Sequence, residues 1–204
     1  MALWRRWAAD RNSEAETRAM THLKNGRAEE LFYVVDEDDN VIGVASREEC
    51  HSNPSLIHRS VYVFVLNRRG EVFIQRRSVE KDLYPGFYTA SATGHVEYGE
   101  GYDEAAWREL MEELGIDAPL HRLGKVKSFS GAEREISMIY FCRYDGPMRL
   151  ERDEISEGLF MTLEEIKRSI ETGERRFAYG FKVAFEEFLR ALPMVRKRLR
   201  LGEN

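Results

Sequence analysis

Four glutamates at fixed spacing dominate the chemistry that this sequence can do. The segment 94–116 reads GHVEYGEGYDEAAWRELMEELGI and contains Glu100, Glu109, Glu112 and Glu113. Residues three and four apart share one face of a helix, so the last three carboxylates would lie together and repel one another. A bound cation removes this repulsion, and hard carboxylate oxygens favour Mg²⁺ or Mn²⁺. The alternative is an ordinary solvated helix face, since 33% of the residues are charged.

The same segment resembles the Nudix box. In that motif a Gly is followed after five residues by Glu, and seven residues later by Arg-Glu, an aliphatic residue, any residue, Glu-Glu, any residue, Gly and an aliphatic residue. Every defined position is met, by Gly94, Glu100, Arg108, Glu109, Leu110, Glu112, Glu113, Gly115 and Ile116. The resemblance implies hydrolysis of a P–O–P bond, with Mg²⁺ or Mn²⁺ held by Glu109, Glu112, Glu113 and the carbonyl of Gly94. It also implies that Glu100 and Arg108 orient the helix through a salt bridge, and that one acid acts as a general base.

Residues 31–140 also resemble the isopentenyl-diphosphate isomerase branch of the Nudix superfamily. VVDEDDNVIGVASREECH, HRSVYVFVLNRRGEVFIQRR and PGFYTASATGHV carry this resemblance. That branch holds a divalent metal between three His and two Glu, and the matching positions are His51, His58, His95, Glu133 and Glu135. Such a set suits Zn, Mn or Mg. The alternative is that each His is an ordinary loop or strand-end residue.

Three further positions bear on the reaction. Arg77 and Lys81 fall where the isomerase branch holds the diphosphate, although they could instead form a surface charge cluster. The isomerases carry a catalytic Cys two residues before the His that matches His95, whereas this chain has Thr93. A hydroxyl does not easily replace a thiol in this chemistry. The sequence therefore favours a hydrolase of a nucleoside diphosphate or triphosphate derivative, with isopentenyl-diphosphate isomerase and a non-catalytic phosphate-binding module as alternatives.

Hydrophobic periodicity predicts the elements that must position these residues. Hairpins are predicted at 31–46 and 58–78, a strand at 88–96, a helix at 102–114 that ends at Gly115, and two strands within 126–146. A capping box of Thr162 and Glu165 starts a helix within 158–174, Pro193 interrupts a helical stretch at 178–200, and a short helix is predicted at 12–25. This alternation predicts an α/β fold. The Nudix resemblance implies a mixed β-sheet sandwiched between helices.

Length and composition predict the number of domains, the cellular location and the kind of partner. The 204 residues predict a single domain at 31–204 after an N-terminal extension at 1–30. A formal charge of −5 argues against nucleic-acid partners, and no apolar run predicts a membrane span or a secretory signal. Cys50 and Cys142 make no disulfide framework and are expected to be small buried residues. We expect a cytoplasmic protein that binds a small phosphate-containing substrate. A homodimer formed through the terminal segments remains open, as does the role of the basic C-terminal tail, for which a solvated helix end is favoured.

Overall fold

The structure, a computed structural model, describes residues 23–24, 27–131 and 133–201. In these ranges the chain forms eleven strands and five helices. The strands are β1 (Leu23–Lys24), β2 (Arg27–Ala28), β3 (Leu31–Val35), β4 (Val41–Ser46), β5 (Ile57–Leu66), β6 (Val72–Arg77), β7 (Tyr88–Thr89), β8 (Ala92–His95), β9 (His121–Phe129), β10 (Arg134–Arg143) and β11 (Ile155–Met161). The helices are α1 (Arg47–Ser52), α2 (Tyr102–Leu114), α3 (Leu163–Thr172), α4 (Tyr179–Arg190) and α5 (Leu192–Leu199).

Nine of the strands form one mixed sheet around the long strand β5. The main path runs β11-β6-β5-β10-β9, with β3, β4, β7 and β8 joined beside it, while β1 and β2 pair separately. Strand β10 runs parallel to β5, whereas β3, β6 and β8 are antiparallel to β5. This confirms the mixed sheet expected from the sequence, including the predicted hairpins β3–β4 and β5–β6.

Helices cover both faces of the sheet because successive side chains of β5 point in opposite directions. Val61 and Val63 pack with Leu110 of α2 in one fully buried cluster. Phe64 packs with Phe181 of α4 in a second cluster, to which α3 and α5 also contribute. The predicted sandwich of a sheet between helices is therefore confirmed.

Helix α2 occupies the predicted range and buries the predicted stripe. Ala106, Leu110 and Leu114 are all 0% exposed. The helix ends at Gly115, whose φ of 65° lies in the left-handed region that favours glycine and whose N–H donates to the carbonyl of Met111 at 2.9 Å. This termination fixes the length of the helix that carries the clustered acids.

Three predicted elements differ in detail. The strand at 88–96 is split into β7 and β8 because the Ser91 hydroxyl donates to the carbonyl of Phe73 and accepts from the amide of Val65, at 2.6 and 2.8 Å. The stretch at 178–200 forms two helices, with Pro193 in the first turn of the second. The helix predicted at 12–25 lies outside the described residues except at 23–24, where a strand is found and the prediction is wrong.

The remaining expectations concern the cysteines, the basic tail, membrane-spanning helices and the division into domains. Cys50 and Cys142 are free and buried, as predicted. The basic tail lies in α5, where Val195 and Leu199 are buried while the residues between them include exposed cations. No helix in the described ranges combines the length and the apolar character needed to cross a bilayer. The division into an extension at 1–30 and a domain at 31–204 stays a prediction.

Candidate active site and metal centre

The carboxylates of α2 face the end of β8 across a very short gap. A Cβ atom added at Gly94 would lie 1.8 Å from Oε1 of Glu109. A side chain at this position would therefore displace the Glu109 carboxylate, and glycine lets β8 and α2 approach this closely. The need for glycine at this position comes from contact with the helix, because the backbone of Gly94 itself does not have a positive φ.

Arg108 ties α2 to the loop before it. Its guanidinium contacts both carboxylate oxygens of Glu100, at 2.7 and 3.2 Å, and donates to the carbonyl of His95 at 3.0 Å. The ion pair predicted between Glu100 and Arg108 is therefore present. The same guanidinium also donates to Glu109 at 2.7 Å and to Glu112 at 3.2 Å. Arg108 thus partly neutralises the negative charge of Glu109 and Glu112.

Glu113 is held in place by contacts that the sequence did not predict. Its carboxylate is buried and accepts from the Gln75 side chain at 2.8 Å and from the Thr93 amide at 3.1 Å. Burial and the neighbouring Glu109 raise the pKa of Glu113 well above its ordinary value. Burial also raises the pKa of Glu109 to about 7, despite Arg108. Two desolvated, mutually repelling carboxylates fit a site that accepts a cation.

The sheet register brings the predicted histidines and Glu135 together. Parallel pairing of β10 with β5 puts Glu135 beside His58, and antiparallel pairing of β8 with β5 puts His95 opposite Ser60. His51 reaches the same point from α1. One ring nitrogen from each histidine lies within 4.8 Å of the others. All three predicted histidines therefore meet at one point.

The histidine cluster has the properties of a ligand set. His58 is 1% exposed, and neither of its ring nitrogens has a hydrogen-bond partner among the residues that the structure describes. Glu135 Oε1 lies 3.6 Å from Nε2 of His58 and 3.5 Å from Nε2 of His95. Burial lowers the pKa of His95 to about 4, so the ring is neutral near pH 7 and keeps a nitrogen lone pair. Buried polar atoms are costly when they lack partners, and a divalent metal would supply the partner here.

Glu133 lines the same cleft as His95 and Glu135. Its Oε1 accepts from the amide of Gly180 at 2.7 Å and from the Tyr84 hydroxyl at 3.3 Å. Burial and the nearby Glu135 raise the pKa of Glu133 to about 7. A Cβ atom at Gly180 would lie 2.3 Å from the Tyr62 hydroxyl and 3.2 Å from Glu133. The first turn of α4 therefore contacts Glu133 through a position that only glycine fits.

Both acidic groups open into one cleft of about 350 Å³. Its lining includes the three α2 carboxylates, Gly94, His95, Thr93, Glu133, Glu135, Arg77 and Lys81. Arg77 donates to the carbonyl of Leu83 at 3.0 Å, and Lys81 pairs with Glu154. The two cations predicted for phosphate binding thus line the same cleft as the acids. Neither Cys50 nor Cys142 lines the cleft.

Several residues around the site were missed by sequence reasoning. Gln75 gave only a weak signal, because it follows an apolar run of three residues and precedes two arginines in β6. Asp82, which contacts His51 at 3.2 Å, and Gly180 left none, because their partners are distant in the chain and become neighbours only through the fold.

The chain matches the family model of the NUDIX domain over residues 56–181. It belongs to the Nudix family. This Nudix chain is 38% identical over 136 residues to an uncharacterized Nudix hydrolase of Pseudomonas aeruginosa, covering 66% of this chain and 80% of that one. It is 30% identical over 162 residues to isopentenyl-diphosphate Delta-isomerase 2 of Photorhabdus laumondii, covering 76% and 89%. The crystal structure of DR0079 from Deinococcus radiodurans matches with a TM-score of 0.64 at 28% identity, covering 83% and 98%.

Proposed function

We propose that this protein is a metal-dependent hydrolase that cleaves the P–O–P bond of a nucleoside diphosphate or triphosphate derivative. The observation that carries the proposal is the shared cleft, whose lining includes Glu109, Glu112 and Glu113 and also Arg77 and Lys81. Clustered carboxylates suit a divalent cation, and Arg and Lys suit phosphate oxygens. Phosphoryl chemistry needs mainly such positioning and charge stabilisation.

Glu109, Glu112, Glu113 and the carbonyl of Gly94 would hold Mg²⁺ or Mn²⁺. When bound, the cation neutralises phosphate charge and lowers the pKa of a water molecule. Gln75 supports this arrangement, since its contact with Glu113 at 2.8 Å fixes one carboxylate oxygen and leaves the other available.

The remaining groups position the substrate and take up a proton. Water oxygen forms a bond to phosphorus, the bridging P–O bond breaks with its electron pair on the leaving phosphate, and a cleft carboxylate accepts the water proton. Lys81 would exchange its carboxylate partner Glu154 for a phosphate oxygen. Arg108 keeps α2 against β8 through its contact with the carbonyl of His95 at 3.0 Å.

We also propose that a second divalent metal binds the cluster of His51, His58, His95, Glu133 and Glu135. The unpartnered ring nitrogens of His58 support this proposal most directly. Imidazole and carboxylate ligands suit Zn or Mn, and Mg is possible through the carboxylates alone. His95 and Glu135 line the cleft, so this metal would lie beside it.

A substrate panel tests the hydrolase. With Mg²⁺, purified protein should release phosphate or a nucleoside monophosphate from a nucleotide sugar, a dinucleoside polyphosphate or a nucleoside di- or triphosphate. Glu113→Gln should lower this turnover about 100-fold, which corresponds to the loss of about 3 kcal/mol of transition-state stabilisation. Glu164→Gln, an exposed position on α3, is the matched control. Full turnover in Glu113→Gln, or no product from any panel member, would refute the proposal.

Isopentenyl-diphosphate isomerase is the second candidate, and the His and Glu cluster is the observation that favours it. Thr93 and the absence of both cysteines from the cleft lining weigh against it. We expect no exchange of solvent deuterium into isopentenyl diphosphate, with Thr93→Cys as the variant that restores a thiol. Exchange by the unmodified protein would favour the isomerase. Tight ligand retention without any product would instead favour a non-catalytic binding module.

The proposed setting is the cytoplasm, which the two free buried cysteines support. The proposed partner is the phosphate-containing substrate, and a homodimer through the terminal segments stays a prediction. Gel filtration with light scattering tests the latter: a mass of one chain would reject it.

A further inference from the structure

Asp82 contacts His51 on the side of the ring that faces away from the histidine cluster. Its Oδ2 lies 3.2 Å from Nδ1 of His51. The other ring nitrogen of His51, Nε2, lies 3.3 Å from Nε2 of His95. The two nitrogens of this imidazole therefore face a carboxylate on one side and the cluster on the other.

Asp82 is itself firmly held. Arg47 contacts both of its carboxylate oxygens, through Nη2 to Oδ1 at 3.0 Å and through Nε to Oδ2 at 3.2 Å. The amide of Leu83 donates to Oδ1 at 2.9 Å. Arg47 is in turn paired with Glu30 at 2.8 Å. A bidentate pair of this kind fixes both the charge and the orientation of the carboxylate.

We propose that Asp82 is a positioning residue that selects the tautomer of His51. The Asp82 carboxylate accepts the Nδ1 proton of His51 and leaves the lone pair of Nε2 directed into the cluster. Histidines that ligate metals commonly donate their other N–H to a carboxylate in this way, which fixes the ring and makes it a better ligand. This inference rests on the second metal centre proposed above.

The loop that carries Asp82 touches the cluster at a second point. Residues 78–87 join β6 to β7, and within them the Tyr84 hydroxyl reaches Glu133 at 3.3 Å. Loss of Asp82 could therefore act by moving the whole loop. Tyr84→Phe removes the second contact and leaves the first, so it separates a loop displacement from an effect on His51.

Asp82→Asn reverses the hydrogen-bond pattern with almost no change in shape. Both carboxylate oxygens accept from the Arg47 side chain, but only Oδ1 also accepts from a backbone amide, that of Leu83. A backbone donor cannot turn away as a side chain can, so the amide oxygen of Asn takes the Oδ1 side and Arg47 gives up its contacts on the other side. The NH₂ group then faces Nδ1 of His51 and requires it to be an acceptor. The variant should therefore place the proton on Nε2, the nitrogen that the metal needs.

Two measurements test the proposal. Long-range ¹H–¹⁵N NMR of the metal-free protein reports which nitrogen of His51 carries the proton, and it should be Nδ1 in the unmodified protein and Nε2 in Asp82→Asn. Titration with Co²⁺, followed by its visible absorption, should show about 10- to 100-fold weaker binding in Asp82→Asn, the usual effect of removing such a partner. His51→Asn identifies the part of the signal that belongs to this cluster. Glu80→Gln, an exposed acid in the same loop, and Tyr84→Phe should leave the His51 tautomer unchanged.

The outcomes separate the inference from the proposed metal centre. A proton on Nε2 of His51 in the unmodified protein overturns the inference without needing any variant. Equal Co²⁺ affinity of the unmodified protein and Asp82→Asn also overturns it, as does weaker binding with an unchanged tautomer. Co²⁺ binding that is insensitive to His51→Asn overturns the metal centre itself, and the inference falls with it, whereas hydrolysis at the α2 carboxylates is untouched by that result.

Discussion

Replacing Glu109 with Gln should change how the stability of the metal-free protein depends on pH. Burial raises the pKa of this carboxyl from 4.5 to about 7 in the folded chain, although Arg108 opposes the shift. The folded protein therefore binds more protons than the unfolded chain between these values. The contribution of protonated Glu109 to the free energy of unfolding is fully present below about pH 4.5 and is lost as the pH rises through about 7.

The size of the effect follows from the same pKa values. At about 1.4 kcal/mol per pKa unit, the gap between 4.5 and about 7 corresponds to about 3 kcal/mol of unfolding free energy. The Glu109 side chain is 14% exposed, so solvent screening removes little of this. His95 acts in the opposite direction, because burial lowers its pKa to about 4 and its contribution grows as the pH rises. The difference between the two proteins, rather than either curve alone, removes the His95 contribution and reports on Glu109 together with its effect on the neighbouring Glu113.

Urea unfolding in EDTA at about pH 5 and about pH 8 provides the assay. Between these conditions the unmodified protein should lose about 2–3 kcal/mol relative to Glu109→Gln. Glu112→Gln is the matched control, because its side chain is 61% exposed, and it should follow the unmodified protein. Mg²⁺ should restore stability at the higher pH only where Glu109 is intact. Parallel pH dependences for the unmodified protein and Glu109→Gln would refute the reasoning that this carboxyl is a desolvated cation ligand.

Two glycine substitutions probe the close contacts around the cleft. Gly94→Ala places a Cβ atom 1.8 Å from Oε1 of Glu109, so the carboxylate must move; hydrolysis should fall sharply while the thermal unfolding midpoint changes little. Gly124→Ala, whose added atom has no neighbour within 4 Å in the described part of the chain, is its control, and equal activity of the two variants would contradict the account. Gly180→Ala places a Cβ atom 2.3 Å from the Tyr62 hydroxyl. It should destabilise the fold by about 1–3 kcal/mol and weaken Zn²⁺ binding in a calorimetric titration, and unchanged Zn²⁺ affinity would count against a role for α4 at that centre.

The sequence predicted the elements that are fixed by local signals. Helix α2 has a periodic apolar stripe and a terminal Gly115, so its range and its buried face could be predicted in advance. The capping box of Thr162 and Glu165 likewise marked the start of α3, with the predicted contacts at 2.7 to 3.2 Å. Such features depend on residues only a few positions apart, so they can be recognised in a single sequence.

What could not be predicted depends on contacts between distant segments. Ser91 breaks the strand at 88–96 only because its hydroxyl meets the backbone of neighbouring strands. Glu113 is buried against Gln75, 38 positions away, and Asp82 meets His51 across 31 positions. These contacts between distant segments leave no periodicity or spacing in the sequence that would predict them. The composition of the acidic and histidine clusters could therefore be predicted, but not the partners that orient them.

The most direct test of the proposed function is hydrolysis of a nucleoside diphosphate derivative in H₂¹⁸O with Mg²⁺, followed by mass spectrometry of the products. Attack of water on phosphorus predicts one ¹⁸O atom in a phosphate product, formed only when Mg²⁺ is present and lost in Glu113→Gln. Phosphate products without ¹⁸O, or equal product formation in EDTA, would contradict metal-dependent cleavage of the P–O–P bond by water.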